Sequence, residues 1–523
     1  MDTSWKSIFL KKHFSNTKPM TNTPPSACCQ SFPWIGYLFF VAVLVGTFVL
    51  GILVVQVTQR RAEAVKRNII FPIPPAEMDA TVWGKNFPRQ YDSWMRTQLE
   101  TPATKYGGSN TRDYLRGKPG YVVLFAGIGF SKEYIQGRGH WFAVEDVSKS
   151  LRINDKSSAA CWQCKSPDAV RLIGEMGVEE FSKKKFHDVL HDRDPEGKLI
   201  ATAHAISCYD CHDETTMTLR SLRPNVLEGF KSMGQDMNKL SHQEKRSAIC
   251  AQCHSSYHLA EETGVVTFPW SKGLLAENVE EYYKETGFSD WTHPISGAKM
   301  IKTRHPDYEL YTTSLHYARN VSCSDCHLPY KTEGAEKFSD HHVRSPSVAS
   351  NHPLSAIANT CSVCHRWSEH DAKKQIELIQ TKVEEVQNRG MTALVLAHFD
   401  IAACKEAGAS DEELAAVREE LRYAQMHWDF VASSNGMGFH APQESQRILA
   451  TALDRAARVR IACAQILAKH GYAEDVLYPE VNTKAKAQAV IEKFIAGERP
   501  SLLKKGEPSQ PESSTESTVE SAE

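Results

Sequence analysis

The chain has 523 residues, with 61 Lys and Arg against 63 Asp and Glu, so its formal net charge is −2. Near-neutrality gives no electrostatic case for a nucleic-acid partner, and 41% hydrophobic with 24% charged residues excludes wholesale disorder. The unusual counts are 14 Cys and 22 His; in a chain this long they point to metal or haem rather than to a small disulfide scaffold.

In chain order, residues 1–33 read as a polar tail on the cytoplasmic side. Residues 34–57, from Trp34 to Val57, are apolar with one Gln and no charge, which is long enough to span a bilayer. The stretch exceeds a typical signal-peptide core and no small-x-small cleavage site follows it. An uncleaved anchor is therefore expected, with a cleaved signal as the alternative. Lys6, Lys11, Lys12 and Lys18 precede it, and Arg60, Arg61, Lys66 and Arg67 follow it, so positive charge alone leaves the orientation open. Residues 58–80 read as a linker ending in a Pro-rich segment. Residues 81–366 hold every paired cysteine motif and few strand signals, at Tyr121 to Phe125 and Val265 to Phe268. Residues 367–499 read as long helices. Ile376, Ile379, Val383 and Val386 follow helical spacing, Ser410 with Glu413 reads as a capping box, and Pro442 and Gly471 bracket a helix of nearly thirty residues. Residues 500–523, rich in Ser, Glu, Pro and Thr, read as a disordered tail.

Four segments read C-x-x-C-H: Cys208, Cys211, His212; Cys250, Cys253, His254; Cys323, Cys326, His327; and Cys361, Cys364, His365. Chance supplies roughly 0.016 such motifs at this composition. Two thiols three residues apart reach the two vinyl groups of one haem, and the next residue supplies the imidazole beneath the iron. Zinc sites or disulfides are the bland alternatives, but zinc has no need of a His after each pair. A fifth segment, Cys161-Trp-Gln-Cys164-Lys165, keeps the thiols and puts Lys at the ligand position. An amine binds iron only when deprotonated, so this reads as a fifth haem with a different proximal ligand; a degenerate or redox C-x-x-C is the alternative. Cys404 and Cys463 lie in helical patterns and read as buried thiols. Cys28 and Cys29 receive no role. Haem attachment to thiols occurs on the outer side of a bacterial cytoplasmic membrane, which sets the orientation: residue 58 onward lies on the periplasmic side.

The CWQCKSPD segment, followed by four C-x-x-C-H motifs in this order, resembles the ammonia-forming cytochrome c nitrite reductases, a pentahaem family, over residues 81 to 475. The resemblance implies a mainly α fold with haems packed in the core, long C-terminal helices and a homodimer. It implies five covalent haems c, four of them ligated on both sides by His. The implied distal ligands are His140 for the haem of His254, His341 for that of His212, His316 for that of His365, and His440 for that of His327. His342, beside His341, is the alternative there. The Lys165 haem keeps an open side, and the matching active-site residues are Arg152, Tyr257 and His305. For Arg152 a surface or haem-propionate role is the bland alternative. The implied reaction is six-electron reduction of nitrite to ammonium. Electrons would come from a quinol-derived donor, a membrane multihaem cytochrome; the anchor departs from relatives that are soluble. The family has a Glu and a Gln that help bind calcium where this chain has Ser256 and Arg304. A hard cation wants anionic and carbonyl oxygens, so calcium is expected to be absent, with the Arg304 charge in its place; an Arg304 turned to solvent with calcium bound elsewhere is the alternative. The rival readings are a multihaem reductase of hydroxylamine or sulfite, and a membrane-anchored multihaem electron carrier.

Overall fold

The structure, a computed structural model, describes residues 33–67, 69–334, 336–348 and 357–504. The N-terminal tail with Cys28 and Cys29, and residues 505–523 of the expected C-terminal tail, lie outside the described residues. The chain divides into two compact units, residues 1–68 and 69–523.

The described residues of the first unit form one helix, Pro33–Arg67. Its segment Trp34–Gln59 is long and apolar enough to cross a membrane, a description that a signal segment also meets. The helix runs on into the expected 58–80 linker because Thr58 to Arg67 contains no Gly or Pro and is mostly good helix formers; the first Pro beyond it is Pro72.

The second unit is mainly helical. Its main core is built by Glu369–Glu406, Asp411–Ala432 and Pro442–Lys469, 38, 22 and 28 residues long, followed by Lys484–Ala496. Ser368, Ser410 and Thr483 cap three of these helices, and Ser410 forms the full capping box with Glu413. Their inward stripes, with Leu394, Phe399, Leu421, Trp428, Leu449 and Val459, bury almost completely. Tyr121 to Phe125 joins this core as a helix, Gly120–Leu124, and not as the expected strand. A short apolar run carries no usable period; here it is enclosed on all sides, with Met391 and Val395 of the long helix against Gly120. The expected strand near Val265 is present as Val266–Thr267, paired with His258–Leu259. The chain stays packed past residue 500. Leu502 and Leu503 are buried, Leu477 N–H donates to Leu502 O at 2.8 Å, and Leu502 N–H donates to Glu406 Oε2 at 2.8 Å. The apolar pair at 502–503 therefore moves the start of the expected tail beyond residue 503.

The cysteine-rich half has a different build. It consists of single helical turns, short helices and two-stranded antiparallel hairpins. Its apolar side chains form three small clusters, and Cys161, Cys208, Cys211 and Cys250 stand at their margins. Cys404 and Cys463 are buried free thiols between two long helices, with Cys404 Sγ 3.3 Å from Cys463 O.

Candidate haem and active site

Each C-x-x-C pair occupies one tight turn or a helix end. The turns are Ala159–Cys164, Cys208–Asp210, Cys323–His327 and Cys361–Cys364, and the third pair ends the helix His242–Ala251. One turn brings residues three apart to the same side, so both thiols of a pair face one way. Two turns are held from within the motif. Asp210 accepts from Ser207 N–H at 2.8 Å and Asp325 from Ser322 N–H at 2.7 Å, each part of a capping box.

Three motif histidines face a second histidine across a constant gap. Ring centres lie 6.3 Å apart for His212 and His341, 6.4 Å for His316 and His365, and 6.2 Å for His327 and His440. Two imidazoles sharing one metal, with bonds of about 2.0 Å and about 1.1 Å from nitrogen to ring centre, require about 6.2 Å. The gap fits a haem iron and is too wide for ring stacking. The other ring nitrogen is engaged as a metal ligand requires. His212 Nδ1 donates to Met217 O at 3.0 Å, His327 Nδ1 to Arg344 O at 2.8 Å, and His341 Nδ1 to Ser339 O at 3.0 Å. His254 Nδ1 donates to Asp307 Oδ2 at 3.2 Å. His140 is the candidate opposite His254, and after burial the charge of His254 is the largest influence lowering its pKa to about 4. His341, not His342, stands across from His212; His342 is buried 3.7 Å from Glu100. The segment carrying His440 needs its glycine at 438, where φ is +72° and a Cβ would lie 2.7 Å from Val383 Cγ1. The His316 and His365 pair is exposed.

The Lys165 turn has different neighbours. The charge of Lys165 is felt at His305 and at Cys161, and that of Arg152 at Cys161 and Tyr257. The residues expected at an open haem side thus lie within electrostatic reach of one another. His305 has φ +49°, a conformation that costs a non-glycine residue about 1–3 kcal/mol and that clusters at functional sites. The residue is solvent-accessible. Burial, and then the charge Lys165 carries when it is not bound to iron, lower its pKa from 6.5 to about 3. Burial pushes the Tyr257 phenol up, with the Arg304 and Arg152 charges opposing, so it remains a donor at neutral pH.

Arg304 faces inward. Its Nη1 donates to Tyr257 O at 3.1 Å and Lys302 O at 3.0 Å, its Nη2 pairs with Asp290 at 2.6 Å, and its guanidinium lies 5.2 Å from the Tyr257 ring centre. Ser256 is fully buried and donates its N–H to Glu309 Oε1 at 2.8 Å. Burial raises Glu309 to about 8, which favours its neutral form. The guanidinium on two carbonyls and on Asp290 engages oxygens that a hard cation would need.

The cytochrome c552 family model matches residues 79–516. The chain belongs to the cytochrome c552 family. It is 41% identical to cytochrome c-552 of Bacteroides fragilis over 467 residues, 88% of this chain and 92% of that one. It is 38% identical to cytochrome c-552 of Porphyromonas gingivalis over 493 residues, 90% and 96% of the two chains. Among solved structures, it matches the cytochrome c nitrite reductase of Desulfovibrio desulfuricans, described with two calcium sites, at a TM-score of 0.69 and 27% identity over 76% of this chain and 88% of that one. This cytochrome c552 is a haem-bearing oxidoreductase.

Two residues of this cytochrome c552 escaped the sequence reading. Arg223, buried, ties three motifs together. It pairs with Asp210, its Nε donates to Gln163 O at 2.5 Å, and its Nη1 donates to Gln252 Oε1 at 2.9 Å. Asp307 accepts from His254 and from Asn435 N–H at 2.6 Å, and lies 3.8 Å from His440 Nδ1. Burial alone would raise its carboxyl, but the His254 bond and nearby imidazoles hold it well below the usual range. Neither residue belongs to a local motif; the buried Asp at the third position of C-x-x-C was the available hint to Arg223.

Proposed function

We propose that this protein reduces nitrite to ammonium by six electrons and eight protons, with release of two waters, at the Lys165 motif. Five covalent haems c would be held by Cys161 and Cys164, Cys208 and Cys211, Cys250 and Cys253, Cys323 and Cys326, and Cys361 and Cys364. Lys165, His212, His254, His327 and His365 would be the proximal ligands, and His341, His140, His440 and His316 the distal ones. The haem at Lys165, when bound, supplies electrons and a coordination site for the nitrite nitrogen. The observation that carries the reading is the contrast between three imidazole pairs at 6.2–6.4 Å and a lysine turn within electrostatic reach of Arg152, Tyr257 and His305 instead.

Arg152 receives the anion and stabilises charge on its oxygens as N–O bonds break. Tyr257 donates a hydrogen bond from a phenol that stays protonated. His305 is neutral at rest, so it first takes up a proton and then hands it on. Arg304 replaces calcium, holding the Tyr257 and Lys302 carbonyls. The apolar helix anchors the enzyme in a bacterial cytoplasmic membrane with the catalytic unit on the periplasmic side, beside a quinol-derived donor, and the long helices form a homodimer.

The test uses the haem-loaded protein with a chemical reductant, counting haem and quantifying ammonium, beside a Lys165→His variant. Five haems, ammonium as the main product and a marked change in the variant support the reading. Five haems with no nitrite consumption and no ligand-binding haem overturn it in favour of an electron carrier.

A further inference from the structure

Resting on the proposed role of Arg152, we propose that Phe130 is a positioning residue whose ring, with Ser150 at the guanidinium edge, sets the Arg152 fork for a two-oxygen anion. The centre of the Phe130 ring lies 4.6 Å from Arg152 Cζ and 4.9 Å from Lys302 Nζ. Lys302 is itself fixed, with Nζ 2.8 Å from both Asp429 oxygens and 2.6 Å from Thr303 O. Tyr134 packs edge-on against Phe130 at 5.1 Å, and Phe125 lies 5.9 Å away. The ring is therefore a braced platform that two cations approach. Such a platform holds a planar guanidinium in one plane.

Gly129 makes the approach possible, since a Cβ there would sit 3.1 Å from Arg152 Cβ and 3.2 Å from its Cα. The edge of the guanidinium is fixed separately. Nε donates to Ser150 Oγ at 3.2 Å, and Ser150 Oγ donates to Glu133 Oε2 at 2.5 Å. Leu151 N–H donates to the same carboxylate oxygen at 3.0 Å. Among the described residues neither terminal nitrogen of Arg152 has a hydrogen bond or ion pair, whereas Arg138, Arg223 and Arg304 each pair with an Asp. A fork held by face and edge, with its two ends uncommitted, suits bidentate binding of an anion with two oxygens. Holding it in advance removes the ordering cost that a long flexible side chain would otherwise meet on binding.

The discriminating feature is charge. Nitrite is an anion, whereas hydroxylamine, an N–O compound of similar size, is uncharged near neutral pH. Haem-loaded Phe130→Leu, Phe130→Tyr and Ser150→Ala are compared with the parent for both substrates, and nitrite affinity of the oxidised protein is read from the haem absorption spectrum. Phe130→Leu is expected to raise the nitrite KM and the spectroscopic Kd roughly tenfold, with hydroxylamine kcat/KM changed by less than about twofold. Phe130→Tyr, which keeps the ring, retains nitrite affinity, and Ser150→Ala shifts it in the same direction as Phe130→Leu. In an Arg152→Gln background Phe130→Leu adds no further loss. Equal losses on both substrates, a persistent loss in the Arg152→Gln background, or unchanged nitrite affinity would each overturn the inference. A parent enzyme that consumes no nitrite would instead overturn the functional reading beneath it.

Discussion

Replacing Arg304 by Met removes a positive charge and keeps most of the side-chain volume. Asp290, about 10% exposed at its side chain, then loses its counter-charge at 2.6 Å. Removing one partner of a buried pair costs about 3–5 kcal/mol. Two features moderate this. Asp290 Oδ2 still accepts the Lys302 N–H at 2.8 Å, and the Arg304 side chain is itself 17% exposed. The carbonyls of Tyr257 and Lys302 also lose a charged donor, about 1–3 kcal/mol for an orphaned buried acceptor. These losses fall within one network and do not add, so the expected destabilisation is about 3–5 kcal/mol. Urea unfolding followed by haem absorbance measures it. Asp290→Asn in the Arg304→Met background should recover part of the loss, because the unpaired charge is then gone. Activity should fall with stability, since Arg304 adjoins His305 and holds the Tyr257 backbone. Parent activity should be indifferent to a calcium chelator. A loss below about 1 kcal/mol would refute the reasoning, as would parent activity that a chelator abolishes and calcium restores.

Three further expectations use other parts of the molecule. Arg223→Met leaves Asp210 buried without its counter-charge and should cost about 3–5 kcal/mol, with reduced haem incorporation at the motifs it joins; normal stability and haem content would contradict the strut role. His341→Ala should remove one distal ligand and give an additional ligand-binding haem in the spectrum, while His342→Ala should not; the reverse result would exchange the two assignments. His398 is fully buried, stacked on His293 with ring centres 3.7 Å apart, and bonded to Ser296 and Gln425. Burial lowers its pKa from 6.5 to about 4, so below pH 6.5 the unfolded chain takes a proton that the folded one refuses. Stability at this site is complete above pH 6.5 and is lost as the pH falls towards 4, with a slope of up to about 1.4 kcal/mol per pH unit. Urea unfolding of His398→Gln across that window should show a shallower slope, and equal slopes would refute the assignment.

The cysteine motifs were legible because the chemistry they imply is local: two thiols and a ligand must share one turn. The histidines proposed as distal ligands were not legible from spacing, because they lie far along the chain. His212 meets His341 and His327 meets His440 only through the folded chain, and family resemblance supplied those pairs. Helix ends at Ser410 and Pro442 were legible for the same local reason, since caps are satisfied within a turn. Tyr121 to Phe125 was misread because five enclosed apolar residues satisfy either secondary structure, and the packing of Met391 and Val395 decided the matter. Arg223 was invisible because Arg220, three residues earlier, has the same local character yet pairs with Asp213 and Glu214 of its own loop.

The charges around Lys165 give the proposed site its order of events. Arg152, Arg304 and Lys302 bring positive charge to one region, and only Arg304 and Lys302 are matched there by buried carboxylates, Asp290 and Asp429. An imidazolium at His305 would add one more cation to this region, and burial is the first influence against it; a Lys165 that ligates iron is deprotonated and adds no charge of its own. An entering anion works against that burial, because an opposite charge nearby favours the protonated imidazole. On the proposed reading, His305 would acquire its proton as the anion enters. The strained backbone at His305 and the Arg304 clamp on Tyr257 and Lys302 serve the same end. They hold donors in fixed positions in advance, so that stabilising the charge that develops requires little rearrangement.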